Sequence, residues 1–482
     1  MNPTDATIID ACTSPAVFAR WFKKAETWAA WFAFLRVLFA LPLDADQLAL
    51  FQLCTGRTTP PAGGANEAWL VVGRRGGKSL VLALVAVFLA CFRDWSPYLS
   101  PGERGTIQVL AVDKRQARTI FRYARAMLLF VPALKPLVER IDGEAIDLTN
   151  GISIEITTAS FRSVRGFTLV AAALDELAFW RSDESANPDR EILDALRPAM
   201  ATVPGAMLLC ASSPYAKRGV LYEAFRENFG REDAHALVWK ADTLTMNPTV
   251  PRSVIDKAYE RDPASAAAEY GAEFRSDIET FVAREVIERL VIPGRFELPP
   301  VDGVAYCAFV DPSGGSSDSM TLAIAHHEEG GAVLDALREV RPPFSPDAVV
   351  EEFASFLKRY RLHEVEGDRY GGEWPRERFN VHGIEYRCAE KPKSDLYREL
   401  LPILNSAQCQ LLDNPRLTAQ LCTLERRTAR GGRDSIDHPP GAHDDLANVA
   451  AGALVRVGVG MSEVEVWKRF GAAMRGAPLG HC

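Results

Sequence analysis

The chain has 482 residues, more than one typical domain holds, and its 48% hydrophobic and 24% charged residues exclude wholesale disorder. Lys plus Arg number 55 and Asp plus Glu 63, a formal net charge of −8. That balance excludes a protein that coats nucleic acid by bulk charge and leaves contact through local basic patches.

The nine cysteines form no C-x-x-C pair, and no signal-peptide pattern precedes them, so they read as reduced thiols of a cytosolic protein. Two apolar stretches stand near the start. Residues 28–43 carry Arg36 and read as a buried or partner-facing helix, and residues 80–92 are shorter than the roughly 20 that span a bilayer. The expectation is a soluble protein with no membrane contact.

From 68 to 242, short apolar runs alternate with helical patterns. Strands are predicted at 69–73, 107–113, 152–157, 169–175, 207–212 and 236–240, with helices such as 114–130 and 188–200 between them. This alternation predicts an α/β domain with a mostly parallel sheet. The first strand runs into "WLVVGRRGGKSLVLAL" (69–84), an order of strand, Gly- and Arg-rich loop, Lys-Ser and apolar helix. Such a loop turns backbone N–H groups toward phosphate, as Arg74, Arg75, Gly76 and Gly77 would here. Lys78 would reach the terminal phosphates, and the Ser79 hydroxyl would ligate Mg²⁺. The pattern departs from G-x-x-x-x-G-K-[ST], because Val72 stands where the first Gly belongs.

The run "LVAAALDELAFW" (169–180) delivers two adjacent carboxylates from an apolar strand. Asp175 would hold Mg²⁺ through water and Glu176 would polarise the attacking water of a nucleotide hydrolase. "MLLCASSPY" (207–215) ends a further strand in hydroxyl residues that could sense a terminal phosphate or merely cap the strand. A helical, Ala-rich stretch (251–274) and a Pro/Gly-punctuated segment (292–303) follow, and the domain boundary is expected at the latter.

The second half opens with strand patterns at 304–311, 320–327 and 332–340, then alternates again to an apolar helix at 445–457. Asp311 ends the first of these strands, Asp368 follows an alternating run, and Asp444 and Asp445 open the last helix. Carboxylates brought to one sheet face from separate elements can hold two divalent metals and cut a phosphodiester, with Mg²⁺ or Mn²⁺ favoured by all-oxygen ligation. The loop 425–434 adds Arg426, Arg427, Arg430 and Arg433, a candidate contact for a DNA backbone or a solvated surface. Residues 461–482 read as a tail.

Taken together, "GRRGGKS", "SVRGFT" (163–168) before "LDE", "ASSP" and "HDDLANVAAGAL" resemble the large terminase subunit of tailed bacteriophages. The resemblance runs from about residue 43 to 457, and the Arg-bearing phosphate loop suits that family. It implies a P-loop ATPase domain followed by an RNase H-like α/β nuclease domain, with ATP and Mg²⁺ (or Mn²⁺ at the nuclease) as cofactors. Gln47, in "LDADQLALFQLCTGR", would contact adenine. Arg74, Arg75 or Arg165 would act across subunits. The implied activity is ATP-driven translocation of double-stranded DNA into a procapsid and cutting of concatemeric DNA. Implied partners are the portal protein, a small terminase subunit and further copies in a ring, with a monomer in solution also allowed. Its place would be the host cytoplasm and, transiently, the procapsid, but not the mature virion. The expected division is an N-terminal helical segment (1–45), ATPase (46–250), helical subdomain and linker (251–300), nuclease (301–460) and tail. The alternatives are a P-loop helicase or remodelling ATPase whose second domain only binds DNA, and a nucleotide-regulated structural protein of the portal.

Overall fold

Leu70 and Val72 pack into one apolar cluster while Trp69 and Val71 pack into another, so this strand is buried on both faces. That is the signature of a parallel sheet covered by helices on either side. The structure, a computed structural model, describes residues 6–158, 166–180, 188–316, 318–368, 373–428, 434–439 and 441–458. Arg165, Arg430, Arg433 and the tail lie outside them. The described residues divide into two compact units, one ending at Asp277 and one beginning at Ile278.

The first unit is built on eight strands: β1 (Glu67–Val72), β2 (Gly105–Ala111), β3 (Val138–Ile141), β4 (Ala145–Leu148), β5 (Ile152–Thr158), β6 (Thr168–Asp175), β7 (Met207–Ser212) and β8 (Leu237–Ala241). Their order is β3-β4-β5-β2-β6-β7-β1-β8. The six strands from β5 to β8 in that order run parallel, and the β3–β4 hairpin closes one edge in antiparallel fashion. Strand β7 lies between β1 and β6, so the loops after β1 and β6 flank the end of β7 at the sheet's carboxyl edge. Ligands of open parallel sheets bind at that edge. Helices Lys78–Phe92 and Lys114–Phe130 cover one face, joined by the N-terminal helix Ala29–Leu38. Helices Pro188–Met200 and Gly219–Asn228 cover the other. The Ala-rich stretch is two helices, Arg252–Arg261 and Pro263–Glu269. Pro263 has no N–H to donate, and the Asp262 side chain caps the second helix by accepting from Ser265 N.

The second unit contains β9 (Ile278–Thr280), β10 (Tyr306–Asp311), β11 (Met320–Glu328), β12 (Gly331–Val340), β13 (Glu364–Gly367), β14 (Glu385–Cys388), β15 (Cys409–Gln410), β16 (Glu425–Arg427) and β17 (Ser435–Asp437). The main sheet has the order β14-β13-β10-β11-β12-β15. Strand β11 is antiparallel to β10 and β12, whereas β13 and β14 run parallel to β10. A three-stranded meander extended by two parallel strands beside its first strand is the RNase H-like arrangement, and the overall class is the α/β fold expected. The segment 292–303 lies inside this unit: Leu298 N donates to Asp335 O and Val301 N to Tyr306 Oη.

Helix Pro346–Arg359 covers one face of this sheet. Helices Lys393–Asn405 and Asp445–Gly458 cover the other. The last helix lies so close that a Cβ on Gly452 would meet the Phe309 ring at 2.2 Å. Among the described residues, no helix is long and apolar enough to cross a membrane, and every described cysteine is a free thiol.

Candidate functional sites on the two sheets

The loop after β1 turns into helix Lys78–Phe92 through Gly77, whose φ of +99° puts it in the left-handed region. A Cβ there would approach Trp31 Nε1 at 3.0 Å, so glycine serves both the turn and the close contact. Arg75 and Glu176 also take positive φ, 63° and 53°, without being glycine. Such strain concentrates at functional loops.

Lys78 is buried, and its ammonium donates to Val72 O and Ser213 Oγ, both at 3.0 Å, with Glu176 Oε1 at 3.5 Å. Ser79 Oγ donates to Asp175 Oδ2 at 2.9 Å. The residues expected to hold phosphate and those expected to hold Mg²⁺ and water therefore meet at one point. Asp175 is buried and its Oδ1 has no protein partner. Burial, and then the charge of Glu176, raise its pKa to about 6 against the opposing pull of Lys78 and Ser79. A divalent cation would satisfy both the orphaned oxygen and the surplus charge, so the residues fit one. Ser213, in the "ASSP" segment, brings the end of β7 into the same site: its N–H faces Glu176 Oε2 at 3.4 Å. Of the loop arginines, Arg74 is held by Glu269 at 2.7 Å. Arg75 is exposed and has no acidic partner among the described residues. Gln47 completes a capping box with Asp44, its Oε1 accepting from Asp44 N at 3.1 Å.

In the second unit, Asp311 at the end of β10, Asp368 just past the parallel neighbour β13, and the Asp444–Asp445 pair at the start of the last helix converge. Asn448, which the sequence reading passed over, joins them. Its Nδ2 donates to Asp311 Oδ2 at 2.8 Å and to Asp368 Oδ2 at 2.7 Å. Thr321, cross-strand partner of Asp311, donates through Oγ1 to Asp445 O at 2.9 Å and stitches the helix start to the sheet. The signal for Asn448 is its spacing, one helical turn after Asp444 and Asp445.

The two aspartates of the pair differ. Asp444 is held by Tyr397 Oη at 2.8 Å and Lys393 Nζ at 3.0 Å. Asp445 is buried, and its Oδ2 has no protein partner. Burial and then Asp368 raise Asp311 to about 8, with Asp445 and Asp444 adding to the shift. Burial above all raises Asp445 to about 6, and Asp368 is raised for the same reason. Carboxylates this costly to ionise together, with an orphaned oxygen among them, fit a divalent cation. Asp437, His438 and Asp444 form another compact set of ligand atoms. Lys393 Nζ already stands 2.8 Å from Asp437, so the chain supplies its own cation there.

The first N–H groups of the last helix are not available to a ligand. Gln420 Oε1 accepts from Leu446 N at 2.8 Å and Ala447 N at 3.0 Å. In the expected basic loop, Arg426 pairs with Asp434 and Arg427 with Glu425 at 3.2 Å, so these two arginines are paired within the chain. A further basic surface lies in the first unit, where Arg115, Arg118, Arg122 and Arg125 recur every three or four residues along helix Lys114–Phe130. All four are exposed, and none has an acidic partner among the described residues.

No protein-family model and no curated protein matches the chain. Among solved structures, it is similar to the large terminase of bacteriophage HK97, with 16% identity and a TM-score of 0.38 over 88% of this chain and 99% of that one. A second similar structure is the large terminase of a thermophilic bacteriophage in complex with ATP-γ-S, with 12% identity and a TM-score of 0.36 over 88% and 98%. The large terminase nuclease of thermophilic phage G20c with bound magnesium matches 35% of this chain and 94% of its own, with 16% identity and a TM-score of 0.32.

Proposed function

We propose that the chain is the motor and nuclease of viral DNA packaging, a large terminase subunit. The observation that carries this reading is the meeting of Asp311 and Asp368 on Asn448, with the charge of Asp445 acting on Asp311, in a unit that follows a phosphate-loop unit. In the first unit, Lys78 neutralises the terminal phosphates of ATP, Ser79 and Asp175 hold the accompanying Mg²⁺, and Gln47 contacts adenine. Glu176 takes the proton of the attacking water, and Ser213 carries the state of the terminal phosphate into β7. Arg75, the unpaired loop arginine, and Arg165 are the candidates to act on a neighbouring subunit.

In the second unit, Asp311, Asp368 and Asp445 would hold the divalent metal. Asp445 is the direct ligand of the pair, while Asp444 anchors Lys393 and Tyr397. Divalent metal held there would supply activation of water and stabilisation of the leaving oxygen in phosphodiester cleavage. The Arg115–Arg125 row meets the DNA backbone, a contact that positions DNA without reading its sequence. The working assembly is a homo-oligomeric ring on the portal of a procapsid in the host cytoplasm. A small terminase subunit selects the DNA, and the motor leaves before the virion is mature.

The test uses the full chain. Plasmid cleavage should require Mg²⁺ or Mn²⁺ and stop with chelator, and ATP hydrolysis should persist in a variant that no longer cuts. A folded protein that hydrolyses ATP but never cuts DNA with either metal would place it with the helicase-like ATPases instead.

A further inference from the structure

Three consecutive carbonyls of the phosphate loop are each gripped by a side chain from outside it. Thr243 Oγ1 donates to Arg74 O at 2.8 Å, Asn247 Nδ2 to Arg75 O at 2.8 Å, and Trp31 Nε1 to Gly76 O at 2.7 Å. In a trans peptide the C=O and the following N–H point in opposite directions. Pinning the three carbonyls outward therefore turns the N–H groups of Arg75, Gly76 and Gly77 inward. The Gly76 N–H agrees with that direction, since it closes the turn on Gly73 O at 3.1 Å. The Arg75 and Gly77 N–H groups are left to face an anion.

The three donors are themselves fixed. Trp31 is fully buried and stands edge-on to Phe34. Thr243 is fully buried, with its N–H on Tyr270 O at 2.8 Å. Asn247 has its amide orientation set by Thr249, whose Oγ1 donates to Oδ1 at 2.6 Å. The grip comes from two places far apart in sequence, the N-terminal helix and the segment after β8.

We propose that Trp31, Thr243 and Asn247 are positioning residues that hold the phosphate loop in its anion-binding shape before nucleotide arrives. The proposal rests on the nucleotide-hydrolysis reading of this site. It assigns the N-terminal helix and the segment after β8 a part in nucleotide affinity, although none of the three side chains need touch the nucleotide. It also accounts for a loop that departs from the usual glycine spacing, because outside donors set the peptide orientations.

The experiment compares the wild-type full chain with Thr243→Val, which keeps the shape and removes the donor, Thr243→Ser, which keeps the donor, and Trp31→Phe. ADP affinity is read by calorimetry, ATP turnover by steady-state kinetics, and folding by thermal melting. Losing one grip should weaken ADP binding and raise the ATP KM together by about 5- to 30-fold while kcat stays within about threefold, the pattern of lost uniform binding. Thr243→Ser should return ADP affinity to within about threefold of wild type. Thr243→Val or Trp31→Phe proteins that melt lower yet bind ADP as wild type does would show a structural role only and overturn the proposal. A wild-type chain that binds neither ADP nor ATP would instead overturn the nucleotide reading, and this inference with it.

Discussion

In the first unit Asp175 and Glu176 share their surroundings with the Lys78 ammonium and the Ser79 hydroxyl, whereas in the second Asp311 and Asp368 share a neutral amide, Asn448, with the charge of Asp445 nearby. Lys393 pairs with Asp437 and Asp444, and its charge reaches Asp368 without a hydrogen bond and does not outweigh burial there. The first site thus stands closer to charge balance on its own. The second holds like charges together with little to offset them, and its ionised form is favourable only with a counter-ion. On the proposed reading, two activities tuned so differently, one by the protein's own cation and the other by a metal, would be separable.

The largest effect of disrupting this contrast is expected on cutting. Asp311→Asn removes a carboxylate that both neighbours share, and cleavage of plasmid DNA in Mg²⁺ should fall by at least about 10³-fold, equivalent to several kcal/mol of lost metal stabilisation. ATP hydrolysis by the same protein should stay within about twofold of wild type. A parallel loss of both activities would refute separability. The converse variant, Glu176→Gln, should lower ATP turnover by roughly 10²- to 10⁴-fold and leave ADP binding and DNA cutting intact.

A second pair of measurements bears on the electrostatic side. The folded-state pKa of Asp311, about 8, lies above its ordinary 3.8, so between those values the folded state binds more protons than the unfolded. Stability contributed by that proton is present at low pH and lost as pH rises through 8. In chelator, the melting temperature of wild type relative to Asp311→Asn should therefore fall from pH 5 to pH 8.5. The variant should be the more stable at the upper end by at least about 1 kcal/mol, or about 2–4 °C. Mg²⁺ should raise the wild-type melting point and leave that of Asp311→Asn nearly unchanged. Equal Mg²⁺ shifts in the two proteins would remove Asp311 from the ligand set.

Gly452→Ala probes the scaffold of the second site. Its Cβ would collide with Phe309, on the strand that ends in Asp311, at a cost of about 1–3 kcal/mol in unfolding experiments. The smallest effect concerns the exposed arginine row. Replacing Arg118 and Arg122 together with Ala should lower the log–log salt slope of double-stranded DNA binding by about 1.8, at roughly 0.9 per phosphate contact. Titrations at several salt concentrations would check it, and an unchanged slope would take the row off the DNA path.

Much of this was legible in the chain itself. Apolar strands ending in Gly-Arg-Arg-Gly-Gly-Lys-Ser, Asp-Glu and Ser-Ser announce the carboxyl edge of a parallel sheet, because their strand and turn signals are local. Helices 114–130 and 188–200 lie where their apolar periodicity puts them. The hairpin of β3 and β4 escaped, although Asp142-Gly143 marks its turn, because each strand is only four residues long and interrupted by charged side chains.

The kind of chemistry is thus written in the linear chain: which residues carry carboxylate, ammonium and hydroxyl groups, and on which strand ends they sit. Folding set their surroundings. It put Lys393 and Tyr397 on Asp444 and left the Asp445 oxygen without a partner, a distinction that two adjacent identical residues cannot show. It brought Asn448 between Asp311 and Asp368, capped the last helix from Gln420, and set Trp31 against Gly76 from 45 positions away. Each of these depends on where a side chain ends in space after distant elements have packed, and hydrogen bonds of that range leave no periodicity for a linear reading to detect.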